Sequence, residues 1–184
     1  MTSTKVSNPT ALGLFGFGIT TILLSLANLG VLDLSMVIIA VAIVLGGFAE
    51  IFAGLFELKL GNTFAGTVFV AFGLFWLSLV LILLLPQIGA VGPADNVGIG
   101  VYLLIFAVFS LLLFIDTLKS IMTLKILLFL VMLLFLSLGI AYITGIALLT
   151  TIGGIVGVIA GALGIYISTG MIINEDWEKE VFKL

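Results

Sequence analysis

The chain contains no cysteine, no histidine and no arginine. Without cysteine there is no disulfide and no thiolate metal site. Without histidine there is no imidazole to serve acid-base chemistry. Without arginine the planar fork that grips carboxylates and phosphates is missing. Charge of either sign is scarce: nine acids and six lysines in 184 residues, 8% in all, with a net charge of -3. A soluble domain carries about 25% charged residues. There is no basic patch for a nucleic acid to bind. No nucleophile-base pair or metal cluster is visible, so an enzyme is the least favoured class and no cofactor or metal is expected. What fills the space is apolar: 63% of the residues are hydrophobic, and the mean hydropathy is +1.51. So few charges cannot cover a water-facing surface, and the chain is expected to lie in a lipid bilayer. The N-terminus has one lysine, Lys5, and no small-residue cleavage site, so it reads as mature sequence.

Charges and turn residues divide the chain into six apolar spans, at about 11–29, 34–56, 63–85, 97–115, 126–143 and 150–173. Each is long enough to cross a hydrocarbon core of about 30 Å as a helix. Alternating strands of a barrel are absent. The expected fold is an all-α bundle of six transmembrane helices spanning residues 11–173, with a short N-terminal segment, 1–10, and a tail, 174–184. "PQIGAVGPADN" reads as a loop, and Gly145 marks the turn between spans five and six. All six lysines, Lys5, Lys59, Lys119, Lys125, Lys179 and Lys183, fall on one face, while the opposite loops carry Asp33 and Asp95. The positive-inside rule puts both termini in the cytoplasm. In the tail, Ile173, Trp177 and Val181 recur at i+4, which predicts either a short amphipathic helix at the interface or an ordered stub.

Three features stand out within the spans. Span one begins "NPTALGLFGFGITT". Asn8 suits a cap and Pro9 a first helical position. Gly13, Gly16 and Thr20 share a face, with Phe17 beside it. Span two carries Gly46, Glu50, Ala53 and Glu57 on one stripe. Glu57 sits at the mouth, solvated or paired with Lys59. Glu50 lies about two turns deeper, where an ionisable group is a functional candidate by default, although helix-helix glue is the alternative. Span six reads "GGIVGVIAGALG", in which Gly153, Gly157 and Gly161 make a close-packing stripe. Span three adds Phe64, Phe69, Phe72, Phe75 and Trp76, compatible with an aromatic constriction or with ordinary packing.

The stretches "NPTALGLFGFGITTILL", "GGFAEIFAGLFELKLGNTF" and "FGLFWLSLVLILLLP", with later "GVYL" and "TLK", resemble the acetate uptake transporter family, the succinate-acetate permeases. The resemblance runs over nearly the whole chain. It implies a homohexamer in the plasma membrane with one pore per protomer, carrying acetate and in some members succinate, as a proton symporter or an anion channel. It further implies a hydrophobic constriction at Phe17, Phe72 and Val131. Phe72 stands where the family has Tyr, which makes the ring fully apolar and suited to gating by dewetting. Glu50 stands where Gln is common, and Ala11 replaces the second Pro of the signature. A charged Glu50 would repel a carboxylate by about 4 kcal/mol at 4 Å and an effective dielectric of 20, whereas a protonated one would donate a hydrogen bond. Glu50 is therefore the candidate proton-sensitive group. Asn8, Thr20, Thr21, Asn62 and Glu57 are candidate substrate contacts, Asn8 through the positive end of a helix dipole. The expected partners are a small carboxylate, protons, the lipid bilayer and further copies of the chain. The competing readings are a channel for a small neutral solute such as urea, ammonia or water, and a non-transporting membrane scaffold.

Overall fold

The computed structural model describes residues 7–89 and 91–184. Lys5 and most of the N-terminal segment lie outside the described residues. Among the described residues, six helices are long and apolar enough to cross a membrane: α1 (Thr10–Asn28), α2 (Met36–Lys59), α3 (Thr63–Leu84), α4 (Asn96–Thr117), α5 (Met122–Thr144) and α6 (Ala147–Asp176). Their ends follow local chemistry. Asn8 Oδ1 accepts from the Thr10 amide at 3.0 Å, so it ties down the first turn of α1. Asn62 caps α3 by accepting from Ala65 N, and Asp95 caps α4 by accepting from Gly98 N. Gly145 ends α5 at φ 72°, a left-handed conformation that a Cβ would penalise.

One element differs from the expectation, and the tail takes the second of its two readings, the ordered stub. The middle of α2, Ala42–Ala49, is π-helical rather than α-helical, and it ends immediately before Glu50. In a π turn the hydrogen bonds run i to i+5, so the side chains beyond it are turned relative to an unbroken α-helix. The tail is not an amphipathic helix. α6 stops at Asp176, and residues 177–184 turn back along it. The cause is Asn174, whose side chain takes over backbone groups that a helix would need. Its Oδ1 accepts from Val181 N at 2.8 Å and Phe182 N at 2.9 Å, and its Nδ2 donates to Phe182 O at 2.7 Å. Tyr166 Oη donates to Lys183 O at 3.0 Å, and Phe182 and Leu184 pack over Gly170.

The helices form a ring. α1 packs against α6 and α2, α2 against α3, α4 against α5, and α5 against α6. Lipid tails are as apolar as the helices, so contact has to come from close approach. Gly18 of α1 and Gly161 of α6 face one another: a Cβ at Gly18 would lie 2.7 Å from Gly161 O, and one at Gly161 would lie 2.6 Å from Gly18 O. Ser168 Oγ adds a hydrogen bond to Ala11 O at 2.6 Å. This contact brings the start of α1 beside the end of α6, at the end of the bundle that also holds Lys59, Lys119, Lys125, Lys179 and Lys183. That end is called the lysine end below. α3 meets α4 and α5 through rings: Phe75 stacks on Tyr102 at 5.4 Å, and Phe72 stacks on Phe135 at 6.0 Å. The outward faces carry exposed apolar side chains such as Phe48, Phe52, Ile105 and Ile159, which suits contact with lipid.

Candidate functional site

The ring encloses two cavities. The one toward the lysine end has a volume of about 390 Å³. The other, toward the lysine-free end, has a volume of about 160 Å³. Phe17 and Phe72 border both. They are buried, and they stand where the cavities meet. Phe17 is seated by a glycine: its ring lies over Gly164 of α6, where a Cβ would come 2.9 Å from its Cδ1. Phe72 is fixed by stacking on Phe135 and by tilted contacts with Phe106 and Phe109 at 6.1 and 6.0 Å. Both are phenylalanines, so neither ring itself carries a hydroxyl.

Val131 is buried in the wall of the lysine-end cavity and does not border the other. One turn further along α5, Phe135 borders the lysine-free cavity. Phe135 was not singled out from sequence; its signal was the i+4 spacing from Val131 on the same helix face. Trp76 also borders the lysine-free cavity.

Glu50 borders the lysine-end cavity and is 1% exposed. Neither of its oxygens has a hydrogen-bond partner among the described residues. The Trp76 indole is the polar side chain facing it, without the geometry of a hydrogen bond. A buried carboxyl group left without partners is costly. Glu57 is different. It is buried and is neither solvated nor paired with Lys59. It accepts from Thr10 Oγ1 at 2.5 Å and from Asn62 Nδ2 at 2.8 Å, while the Lys59 ammonium lies over the Phe56 ring. Glu57 thus joins α1, α2 and α3 from behind the cavity wall, and Thr10 and Asn62 form the wall itself.

The remaining sequence candidates separate. Thr21 borders the lysine-free cavity with its hydroxyl unpartnered, and Ser25 and Asn28 follow it on the same helix face. Thr20 is fully buried, donates to Gly16 O at 2.8 Å and borders neither cavity. The cause is its own helix, whose carbonyl one turn back captures the hydroxyl. Asn8 is exposed and also borders neither cavity, because its carboxamide oxygen is committed to the Thr10 amide. Asp116 and Ser120 border the lysine-end cavity and were not anticipated. A charge in the last turn of a span reads in sequence as an ordinary interfacial group. Among the described residues, no group of three His, Cys, Asp or Glu side chains is placed to hold a metal ion.

Residues 1–181 match the GPR1/FUN34/yaaH family. The chain is 44% identical over 184 residues to the succinate-acetate/proton symporter SatP of Escherichia coli K12, covering 100% of this chain and 98% of that protein. It is 38% identical over 81 residues to acetate permease A of Emericella nidulans, which covers 43% of this chain and 27% of that one. The ammonia transport outward protein 2 of Saccharomyces cerevisiae is 37% identical over 124 residues, 63% of this chain and 44% of that protein. Among solved structures, the bacterial acetate channel SatP superposes with a TM-score of 0.95 at 44% identity, covering 97% of this chain and 98% of that one. This chain is a multi-pass membrane protein that belongs to the GPR1/FUN34/yaaH family.

Proposed function

We propose that the protein carries acetate, and with it other small carboxylates such as succinate, across the plasma membrane through the two cavities. The observation that carries this reading is that Phe17 and Phe72 border both cavities. A solute crossing the bundle has to pass between these rings. An apolar gate of this kind passes a species that sheds its water cheaply and obstructs a hydrated ion. Acetic acid, or acetate accompanied by a proton, meets that condition better than the free anion. Relatives named as a succinate-acetate/proton symporter, an acetate channel and an acetate permease support the substrate class.

In this reading Phe17, Phe72 and Val131 form the narrow region, and Glu50 is the proton-sensitive group. A neutral Glu50 donates a hydrogen bond to a carboxylate in the lysine-end cavity, and a charged one repels it. Thr21 and Asn62 offer polar contacts on either side of the rings. The lysine end faces the cytoplasm by the positive-inside rule. The protein assembles as a homohexamer with a pathway in each protomer, and it is not an enzyme.

Uptake of labelled acetate into proteoliposomes, at mildly acidic and at neutral pH, tests the reading. Uptake above that of empty liposomes, faster at the acidic pH, is the expected result. No uptake at either pH by an intact reconstituted protein would sink it. A small neutral solute is the second reading, favoured by the relative named for outward ammonia transport and by the apolar rings. Acetate-independent methylamine or ammonia flux, with no acetate uptake, would establish it instead.

A further inference from the structure

The two cavities differ in charge. Among the described residues, no Asp, Glu or Lys side chain borders the lysine-free cavity. Among the described residues, two carboxyl groups border the lysine-end cavity, Glu50 at depth and Asp116 at the mouth, and no lysine does. Glu50 is 1% exposed, and both of its oxygens are unpartnered. A third acid, Glu57, stands behind the wall, with its oxygens engaged by Thr10 and Asn62. Lys59, Lys119 and Lys125 lie at the same end but do not border the chamber. Asp116 is exposed and sits in the last turn of α4, where the negative end of the helix dipole adds to its charge.

Resting on the transport reading above, we propose that Asp116 is a specificity-determining residue that weakens capture of carboxylate anions from the lysine end. An anion arriving there meets the Asp116 carboxylate at the mouth, beside the Ser120 hydroxyl. An anion arriving from the other end passes the loop carboxylates Asp33 and Asp95, which lie outside the chamber, and then meets the free Thr21 hydroxyl in a cavity that no charged side chain among the described residues borders. Gradients alone set the final distribution across the membrane. The asymmetry therefore shows in the half-saturation concentration, which is higher from the lysine end and is matched by a higher maximal rate. Such a pathway collects a dilute carboxylate on one side and releases it readily on the other.

The chain has no cysteine, so single cysteines distinguish the two faces in proteoliposomes. An impermeant thiol reagent silences Leu83→Cys copies whose lysine-free end faces outward, and Leu124→Cys copies in the opposite orientation. Labelled acetate uptake is then measured from each end at low and high ionic strength. Asp116→Asn is expected to lower the half-saturation concentration from the lysine end by about two- to fivefold at low salt, with the gap closing at high salt. Entry from the other end stays as in the wild type, and Asp116→Glu keeps wild-type values at both ends. An unchanged lysine-end value in Asp116→Asn, or an equal shift at both ends, overturns the proposal while leaving acetate transport intact. If the wild type carries no acetate, the transport reading falls and takes this proposal with it.

Discussion

Glu50 has a costly setting, a buried carboxyl group with no hydrogen-bond partner among the described residues. It is sealed from the lipid, it borders the lysine-end cavity and its two oxygens accept nothing. Glu57, two turns away on the same helix, has every advantage that Glu50 lacks: two donors from two other helices. In the proposed reading this contrast makes Glu57 the structural acid and Glu50 the functional one. Glu50→Gln keeps the shape and removes the titratable proton. Acetate uptake should then lose most of its dependence on pH while the fold is retained, as checked by uptake against pH and by the thermal midpoint in detergent. An unchanged pH profile would remove Glu50 from the mechanism. Phe17 and Phe72, Glu50 and Thr21 were legible as candidates because large rings, a mid-span acid and a hydroxyl are conspicuous in an apolar run. Thr20 and Asn8 were legible only by type. Which hydroxyl its own helix captures, and which amide caps a first turn, depends on geometry that spacing does not specify.

At the scale of the helices, α1 and α6 are held by backbone approach rather than by side-chain volume. The Gly18–Gly161 contact leaves no room for a Cβ on either side, and Gly164 seats the Phe17 ring in the same packing. Gly161→Leu would drive a branched side chain into the α1 backbone. The expected cost is about 1–3 kcal/mol, the usual range for overpacking, with a lower thermal midpoint and, because Phe17 rides on α1, altered flux. A wild-type midpoint in Gly161→Leu would show that the two helices are not in this contact. The glycine stripe of α6 was readable from sequence, since small residues at i+4 have few other uses in lipid. The π segment of α2 was not. "AIVLGGFA" is as apolar as any neighbouring stretch, and its Gly46–Gly47 pair is compatible with either winding. Of the two readings of the tail, the amphipathic helix fails and the ordered stub holds, for a related reason. Its i+4 pattern was real, but one carboxamide, Asn174, diverts the backbone that the pattern required.

For the whole molecule, the presence of six membrane-length helices was legible, because a bilayer imposes length and apolarity on every crossing segment. The arrangement of those spans into a ring with two cavities was not legible, because it rests on contacts between residues distant in sequence, such as Phe72 with Phe135. The central claim is that acetate crosses between the Phe17 and Phe72 rings. The most direct measurement is labelled acetate uptake by Phe17→Ala beside the wild type, in proteoliposomes with equal amounts of folded protein. Opening the narrow point should raise uptake severalfold and admit larger carboxylates that the wild type excludes. Uptake equal to the wild type, with the same size limit, would contradict the claim and place the passage elsewhere in the bundle.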